Sequence, residues 1–344
     1  MKARIALMTG GGDAPGLNGI IEAVSRSLLR SGFEVIGIRD GFEGVFAGNF
    51  RTIVAEELTG IHAQAGTYLG TSNKSGLKGR ESEFIEKWRR MGAQGLVVAG
   101  GDGTFAALSS LENQIPLIGV PKTIDNDLAG TEQTFGFDTA CAVVADSVDA
   151  LRATADAHRR ILVVETMGRT AGWIALGGGL ASYADVILIP ERPFDRSQLY
   201  EFVREKKRSG QRGLLVVAAE GAHAQAETAQ VAFRVEGSPE AVRLGGIGEK
   251  LARDFEKETD WESRHVVLGH LQRARQPTTT DRFLTVSMGV EAARMVAENA
   301  WGQAVVYRQG QVSRAAIQEL MGPPRRVPDG HPWLELARTL GAWI

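Results

Sequence analysis

Residues 95–105 read GLVVAGGDGTF, a short apolar run that stops abruptly in a glycine-rich, acidic turn. An unbroken run of this length, rich in β-branched residues, reads as a strand buried on both faces. Gly100, Gly101, Asp102 and Gly103 then supply the conformational freedom and local hydrogen bonding of a tight turn. The same pattern recurs in RIALMTGGGDAPG (4–16), PLIGVPKTIDND (116–127), RILVVETMGRTAG (160–172), GLLVVAAEGAH (213–223) and HVVLGHLQRA (265–274). Between these segments lie helical patterns, such as LNGIIEAVSRSLLRSG (17–32) and ESEFIEKWRRMG (81–92), each closed by a glycine. Residues 228–259 read as a polar loop followed by a further helix. Strand, turn and helix in alternation predict an α/β protein with mainly parallel sheets. In that architecture ligands gather at the carboxyl ends of the strands, where these turns fall.

The bulk properties narrow the function. The 344 residues suffice for one large or two medium domains, and 43% hydrophobic with 23% charged residues is ordinary for a globular chain. A formal net charge of −2 argues against a general nucleic-acid or anionic-membrane surface. The short basic runs REKKR (204–208) and RR (325–326) read as solvated faces. One cysteine, Cys141, excludes an intramolecular disulfide framework and fits a reducing compartment. No apolar run approaches the length of a membrane helix, and MKARIALMTGGGD does not read as a signal peptide, so a cytoplasmic location is expected. Glycine, at 42 residues, clusters directly after the apolar runs rather than in linkers.

Three turns carry chemistry. In GGGDAPG (10–16) glycines let backbone N–H groups approach an anion at a helix start, although a plain glycine turn is an equal reading of that motif alone. In GGDGT (100–104) Asp102 offers an oxygen ligand to Mg²⁺ beside phosphates, and the bland alternative is an acidic turn. In PKTIDND (121–127) one carboxylate can take the proton of an attacking hydroxyl, and a second can fix a metal, a lysine or a sugar. The bland alternative there is an Asx-turn and helix cap. The arginines in HRRILVVETMGRTAGW (158–173) and RHVVLGHLQR (264–273) suit a phosphate dianion, because guanidinium donates bidentately. His270 alone reads more readily as a structural histidine.

Taken together and in order, GGDAPGLN, LGTS, GGDGT, PKTIDND, ETMGR, EG and LGHLQR resemble the 6-phosphofructokinases of the bacterial type, over nearly the whole chain. The resemblance implies a phosphofructokinase-like α/β fold of two Rossmann-like αβα domains with mainly parallel sheets. It implies a larger donor-binding domain, 1–138 plus about 272–322, and a smaller sugar-phosphate domain, 139–271 plus about 323–344. It further implies a glycolytic kinase that moves a phosphoryl group from ATP to the C1 hydroxyl of fructose 6-phosphate. Asp125 matches the base, with Thr123 and Gly11 completing the catalytic set. Gly11, Gly12, Asn73, Lys74, Gly101, Asp102, Gly103, Thr104 and Lys122 fall on the donor side, with Mg²⁺ at Asp102. Thr123, Asp125, Asp127, Met167, Gly168, Arg169, Glu220, His270 and Arg273 match acceptor contacts. Arg160 and Arg264 match arginines that the family supplies from a neighbouring subunit, implying a homo-oligomer, dimer or homotetramer, with shared sites.

Four departures from the family pattern bear on specificity. Glycine at 103 suits ATP, whereas pyrophosphate users carry aspartate there. Lysine at 122 is the pyrophosphate-type residue. The steric argument favours ATP, because a missing side chain excludes nothing and a lysine tolerates ATP's phosphates. Asn73 stands where an arginine usually bridges the phosphates, with Lys74 adjacent. QRARQP (272–277) replaces the usual glycines with Ala274 and Arg275, which leaves open another acceptor such as sedoheptulose 7-phosphate, or a weakly active sugar-phosphate-binding regulatory subunit. At the family's effector site Arg26, Arg152 and Asp185 match, but Glu22, Ser209 and Gln211 replace basic residues, which predicts little regulation by ADP or phosphoenolpyruvate.

Overall fold

The computed structural model describes residues 2–72, 77–111, 114–234 and 242–344. The chain divides into two compact units, Met1–Thr139 with Arg273–Pro323, and Ala140–Gln272 with Pro324–Ile344. In chain order the strands are β1 (Arg4–Thr9), β2 (Glu34–Ile38), β3 (Phe50–Thr52), β4 (Gly95–Gly100), β5 (Leu117–Pro121), β6 (Ile161–Thr166) and β7 (Val186–Leu188). They continue with β8 (Leu214–Ala219), β9 (Val231–Arg234), β10 (Val242–Leu244), β11 (Ser263–Val267), β12 (Gln303–Arg308) and β13 (Gln311–Ala316).

In the first unit the described residues form a seven-stranded sheet ordered β13-β12-β5-β4-β1-β2-β3. Its five central strands are parallel, and β3 and β13 pair antiparallel at the two edges. Alternate residues feed opposite faces. Ile5, Leu7, Val97, Ala99, Ile118 and Val120 face one core, with Leu17, Ile20, Ile21, Val24 and Leu28 of the helix Leu17–Arg30 and Met288, Ala292 and Val296 of the helix Thr279–Ala297. Ala6, Met8, Leu96, Val98 and Leu117 face the other, with Phe84 and Trp88 of the helix Glu81–Met91. That helix ends where the sequence placed its stop, because Gly92 adopts a left-handed conformation. Phe84 is fully buried and meets Phe42 and Phe46 edge-on, so its truncation to alanine would cost about 3–5 kcal/mol.

In the second unit β11-β6-β8-β7 form a wholly parallel sheet. Its core joins Ile161, Val163, Leu214, Val216 and Ala218 to Leu199 and Val203 of the helix Arg196–Arg208 and to Leu251 and Phe255 of the helix Ile247–Thr259. All six strand-and-turn segments read from the sequence are strands.

Two sequence readings need correction. Residues 228–259 are more than a loop and a helix, since β9 and β10 pair antiparallel. Their short length and the exposure of Val231 leave no periodic signal. The basic runs are not simply solvated. Arg204 and Lys207 donate to the carbonyls of Glu258, Thr259 and Asp260, the orphaned acceptors at a helix C-terminus. Arg325 lies over the ring of Trp173, and Arg326 donates to the Thr170 carbonyl.

Candidate active site

In the first unit β1, β4 and β5 run side by side in parallel, with Thr9 opposite Ala99 and Gly100 opposite Pro121. The turns that follow them therefore emerge together at one end of the sheet. Gly10 N–H continues the ladder to the Ala99 carbonyl, and Lys122 N–H to that of Gly100, both at 2.9 Å. Thr104 packs tightly between turns: a Cβ on Gly100 would lie 2.5 Å from its side chain, and one on Gly10 2.8 Å. Those glycines are required by the fold itself. At Gly103, by contrast, a Cβ would meet nothing within 4 Å among the described residues.

Side chains hold the carbonyls of the first turn. Thr71 Oγ1 donates to the Gly11 oxygen and Lys122 Nζ to the Gly12 oxygen, each at 2.5 Å, and Arg273 Nη1 donates to the Asp13 oxygen. With its peptide planes pinned, this loop is preorganised. Arg273, matched by resemblance to the acceptor, is thus placed against the donor-side turn. Thr71 and the backbone of Asp13 were not singled out in the sequence, where only the LGTS and GGDAPG strings marked them. Asn73 and Lys74 lie outside the described residues.

Lys122 is 4% exposed. Burial, then the neighbouring Arg273, lower its pKa to about 8, opposed by Asp13, Asp125 and Asp102. Asp127 moves the other way, up to about 7, through burial and the charges of Asp125 and Asp102. Thr123 Oγ1 accepts from Asp125 N–H at 3.1 Å and faces Asp127 Oδ1 at 3.4 Å. Lys122, Asp102, Asp125 and Asp127 thus form one electrostatic cluster. Asp102 is exposed in the first turn of the helix Asp102–Leu108. Among the described residues no group of three or more His, Cys, Asp or Glu could hold a metal unaided. A single exposed carboxylate does fit Mg²⁺, which keeps several waters and commonly takes one or two carboxylates plus substrate phosphates.

The second unit carries a parallel set of turns. Thr166 of β6 lies opposite Ala219 of β8, and Glu165 opposite Val267 of β11. Met167, Gly168 and Arg169, then Glu220, then His270 therefore leave the same end of that sheet. Glu220 N–H donates to the Thr166 carbonyl at 2.9 Å. Buried Gln272 accepts from Met167 N–H at 3.3 Å and donates to the Gly269 carbonyl at 3.1 Å, which links two of the turns. Its place inside LGHLQR was the only sequence signal for it. Arg160 and Arg264 sit at the opposite end. Arg160 precedes β6 and pairs with Glu262 at 3.1 Å, and Arg264 pairs with Glu256 and Glu262 at 2.8 and 2.7 Å. The six residues of β6 put about 20 Å between Arg160 and the turn at Met167, and Arg264, second in β11, lies about 10 Å along its strand from Val267.

The effector-position residues are engaged within their own units. Burial opposes ionisation of Glu22, but hydrogen bonds from His62 and Arg26 hold its pKa below the usual value. Asp185 accepts from Gln211 Nε2 and Leu215 N–H, both at 2.8 Å. Arg152 donates to the carbonyls of Ser182 and Tyr183.

Known proteins resemble the chain throughout. The family model Phosphofructokinase matches residues 4–296. An ATP-dependent 6-phosphofructokinase 2 of Clostridium perfringens is 39% identical, over 98% of this chain and 97% of its own. A pyrophosphate–fructose 6-phosphate 1-phosphotransferase of Amycolatopsis methanolica is 40% identical, over 94% and 96%. Among solved structures, phosphofructokinase from Saccharomyces cerevisiae superposes with a TM-score of 0.79 at 28% identity, covering 93% of this chain and 45% of that one. The chain belongs to the phosphofructokinase family.

Proposed function

We propose that the protein transfers the terminal phosphoryl group of ATP to the C1 hydroxyl of fructose 6-phosphate, giving fructose 1,6-bisphosphate and ADP. One observation carries this reading. The turns after β1, β4 and β5 bring a pinned glycine loop, Asp102, Lys122 and the Thr123–Asp127 carboxylates to one sheet end. Phosphoryl transfer needs in-line positioning and charge stabilisation more than covalent chemistry, and these groups supply both. Asp125 accepts the C1 proton as the hydroxyl oxygen bonds to phosphorus, and the bond to the bridging oxygen breaks with its electrons leaving on ADP. The Gly11–Gly12 turn, with Gly101 and Thr104, orients the donor phosphates, and buried Lys122 supplies positive charge. Asp102 would hold Mg²⁺, which when bound neutralises charge on the donor phosphates. Thr123, Asp127, Met167, Gly168, Arg169, Glu220, His270 and Arg273 are assigned to the acceptor and the transferring group.

Space at Gly103 supports ATP, since nothing among the described residues requires glycine there. The second reading, pyrophosphate as donor, is favoured by Lys122 and by the Amycolatopsis methanolica relative named for pyrophosphate. A matrix of donors (ATP, pyrophosphate) against acceptors (fructose 6-phosphate, sedoheptulose 7-phosphate) with Mg²⁺ tests both. Turnover with pyrophosphate alone would reject ATP. Asp125→Asn should lower kcat by about 10²–10⁴-fold while substrate binding persists, and an unchanged kcat would reject the base assignment. Arg160 and Arg264, toward the other end of their own sheet from Met167, Gly168, Arg169 and Glu220, are assigned to the 6-phosphate in a second copy. A dimer or tetramer follows from that reading.

A further inference from the structure

The segment that bears the base turns on a residue that is not acidic. Asn126 lies between Asp125 and Asp127 with φ of 54°, in the left-handed region that asparagine tolerates better than most residues. Its side chain is not offered to a ligand, because Asn126 is 4% exposed. Its Oδ1 accepts from the N–H of Thr134 at 3.0 Å. Thr134 is wholly buried, and its Oγ1 donates to the Thr123 carbonyl at 2.6 Å and lies 3.4 Å from Asn126 Oδ1. The next residue, Phe135, bridges to Lys122. The strand-like return at Thr134–Phe135 therefore grips the Lys122–Asp127 segment from behind at three successive points, Lys122, Thr123 and Asn126.

We propose that Asn126 and Thr134 are positioning residues that fix the carboxylate of Asp125 for proton abstraction, acting as one hydrogen-bonded unit. The chemistry of the pair suits that role. Thr134 fixes the peptide two residues before Asp125, and Asn126 fixes the one after it. Both partners are shielded from water, so neither bond exchanges with solvent. A misplacement of about 1 Å in a reacting group costs about a hundredfold in rate. The inference rests on Asp125 being the base.

The test uses full-length protein and three variants. Thr134→Val keeps the branched shape and deletes the hydroxyl. Asn126→Gly keeps the left-handed backbone without strain and deletes the acceptor. Thr134→Ser restores the hydroxyl. The expected result is a kcat about tenfold or more below wild type for the first two, with KM for both substrates within about twofold and near-wild-type kcat for Thr134→Ser. Thr134→Val/Asn126→Gly should be no slower than the slower single variant, because the residues act together. Wild-type kcat in folded Thr134→Val and Asn126→Gly would overturn the proposal, whatever their Tm, and so would a loss confined to KM. Failure of both variants to fold would also overturn it by assigning the pair to stability. Asp125→Asn, measured alongside, separates this result from failure of the base assignment itself.

Discussion

Lys122 Nζ donates to the carbonyl oxygen of Gly12 at 2.5 Å, a hydrogen bond between residues 110 apart in sequence. The residue that argues for pyrophosphate thus has a structural employment: it braces the glycine turn. Its buried ammonium is also unfavourable, and its pKa falls to about 8 chiefly through burial. An unfolded lysine holds its proton to about pH 10.4. Between pH 8 and 10 the unfolded chain therefore binds more protons, and this residue's contribution to stability rises with pH. Below pH 8 both states are protonated and the cost is felt in full. Wild type should accordingly gain Tm relative to Lys122→Met between pH 7 and pH 9.5. A Tm difference flat across that range would contradict the shift.

Gly103 should control the donor. An aspartate there would extend into open space beside Asp102 and add a negative charge where a nucleotide's phosphates would lie. Gly103→Asp is expected to lower kcat/KM for ATP by about a hundredfold and to raise it for pyrophosphate, with Tm unchanged. Equal loss with both donors would show that the position does not discriminate between them.

Asp127 titrates with the opposite sign to Lys122. Burial and the charges of Asp125 and Asp102 raise its pKa to about 7 from the ordinary aspartate value of 3.8. Between those values the folded state holds the extra proton, so the contribution is favourable at low pH and is lost as pH rises through 7. Asp127→Asn should therefore gain stability relative to wild type on going from pH 5 to pH 8, read as Tm. Asp281, raised to about 6 by burial, titrates in both proteins and cancels in the difference.

Six strands, β1, β4 and β5 of the first sheet and β6, β8 and β11 of the second, were legible because a buried parallel strand is a continuous apolar run and its turn is glycine-rich or polar. β2, β12 and β13 were not read as strands, nor were the ribbon of β9 and β10 and the three-residue strands β3 and β7, the last four of which are too short to leave a periodicity. At the site, Asp102, Lys122 and Asp125 stand in compact motifs. Arg273 on the Asp13 carbonyl, Thr71 on that of Gly11 and Thr134 on Asn126 are contacts across 8 to 260 residues. No local pattern encodes such contacts. The motifs supplied the candidates for chemistry, and only the fold showed which residues hold them in place.

Regulation by phosphorylated effectors should be weak. Glu22 already pairs with Arg26 and His62, Gln211 is tied to Asp185, and Arg152 is spent on two carbonyls. An anionic effector would have to break these contacts and face a buried carboxylate. ADP or phosphoenolpyruvate at saturating concentration should change the rate at subsaturating fructose 6-phosphate by less than about twofold, below the 5–150-fold span usual for allosteric coupling. A clear several-fold response would overturn this.

Arg264 gives the sharpest test of shared sites. It lies about 10 Å back along β11 from Val267, where the strand ends before the His270 turn, and it spends its guanidinium on Glu256 and Glu262. If it served the site of its own chain, no mixture of inactive variants could recover activity. If it serves a second copy, Arg264→Ala should raise KM for fructose 6-phosphate about tenfold or more with a smaller change in kcat. Asp125→Asn should fail in kcat instead. Co-refolding the two variants would then create some sites that combine an intact Asp125 from one chain with an intact Arg264 from another. Activity at low fructose 6-phosphate above that of either variant alone is the expected result, and it should disappear on dilution to monomers. Strictly additive activity in the mixture would place Arg264 outside any shared site.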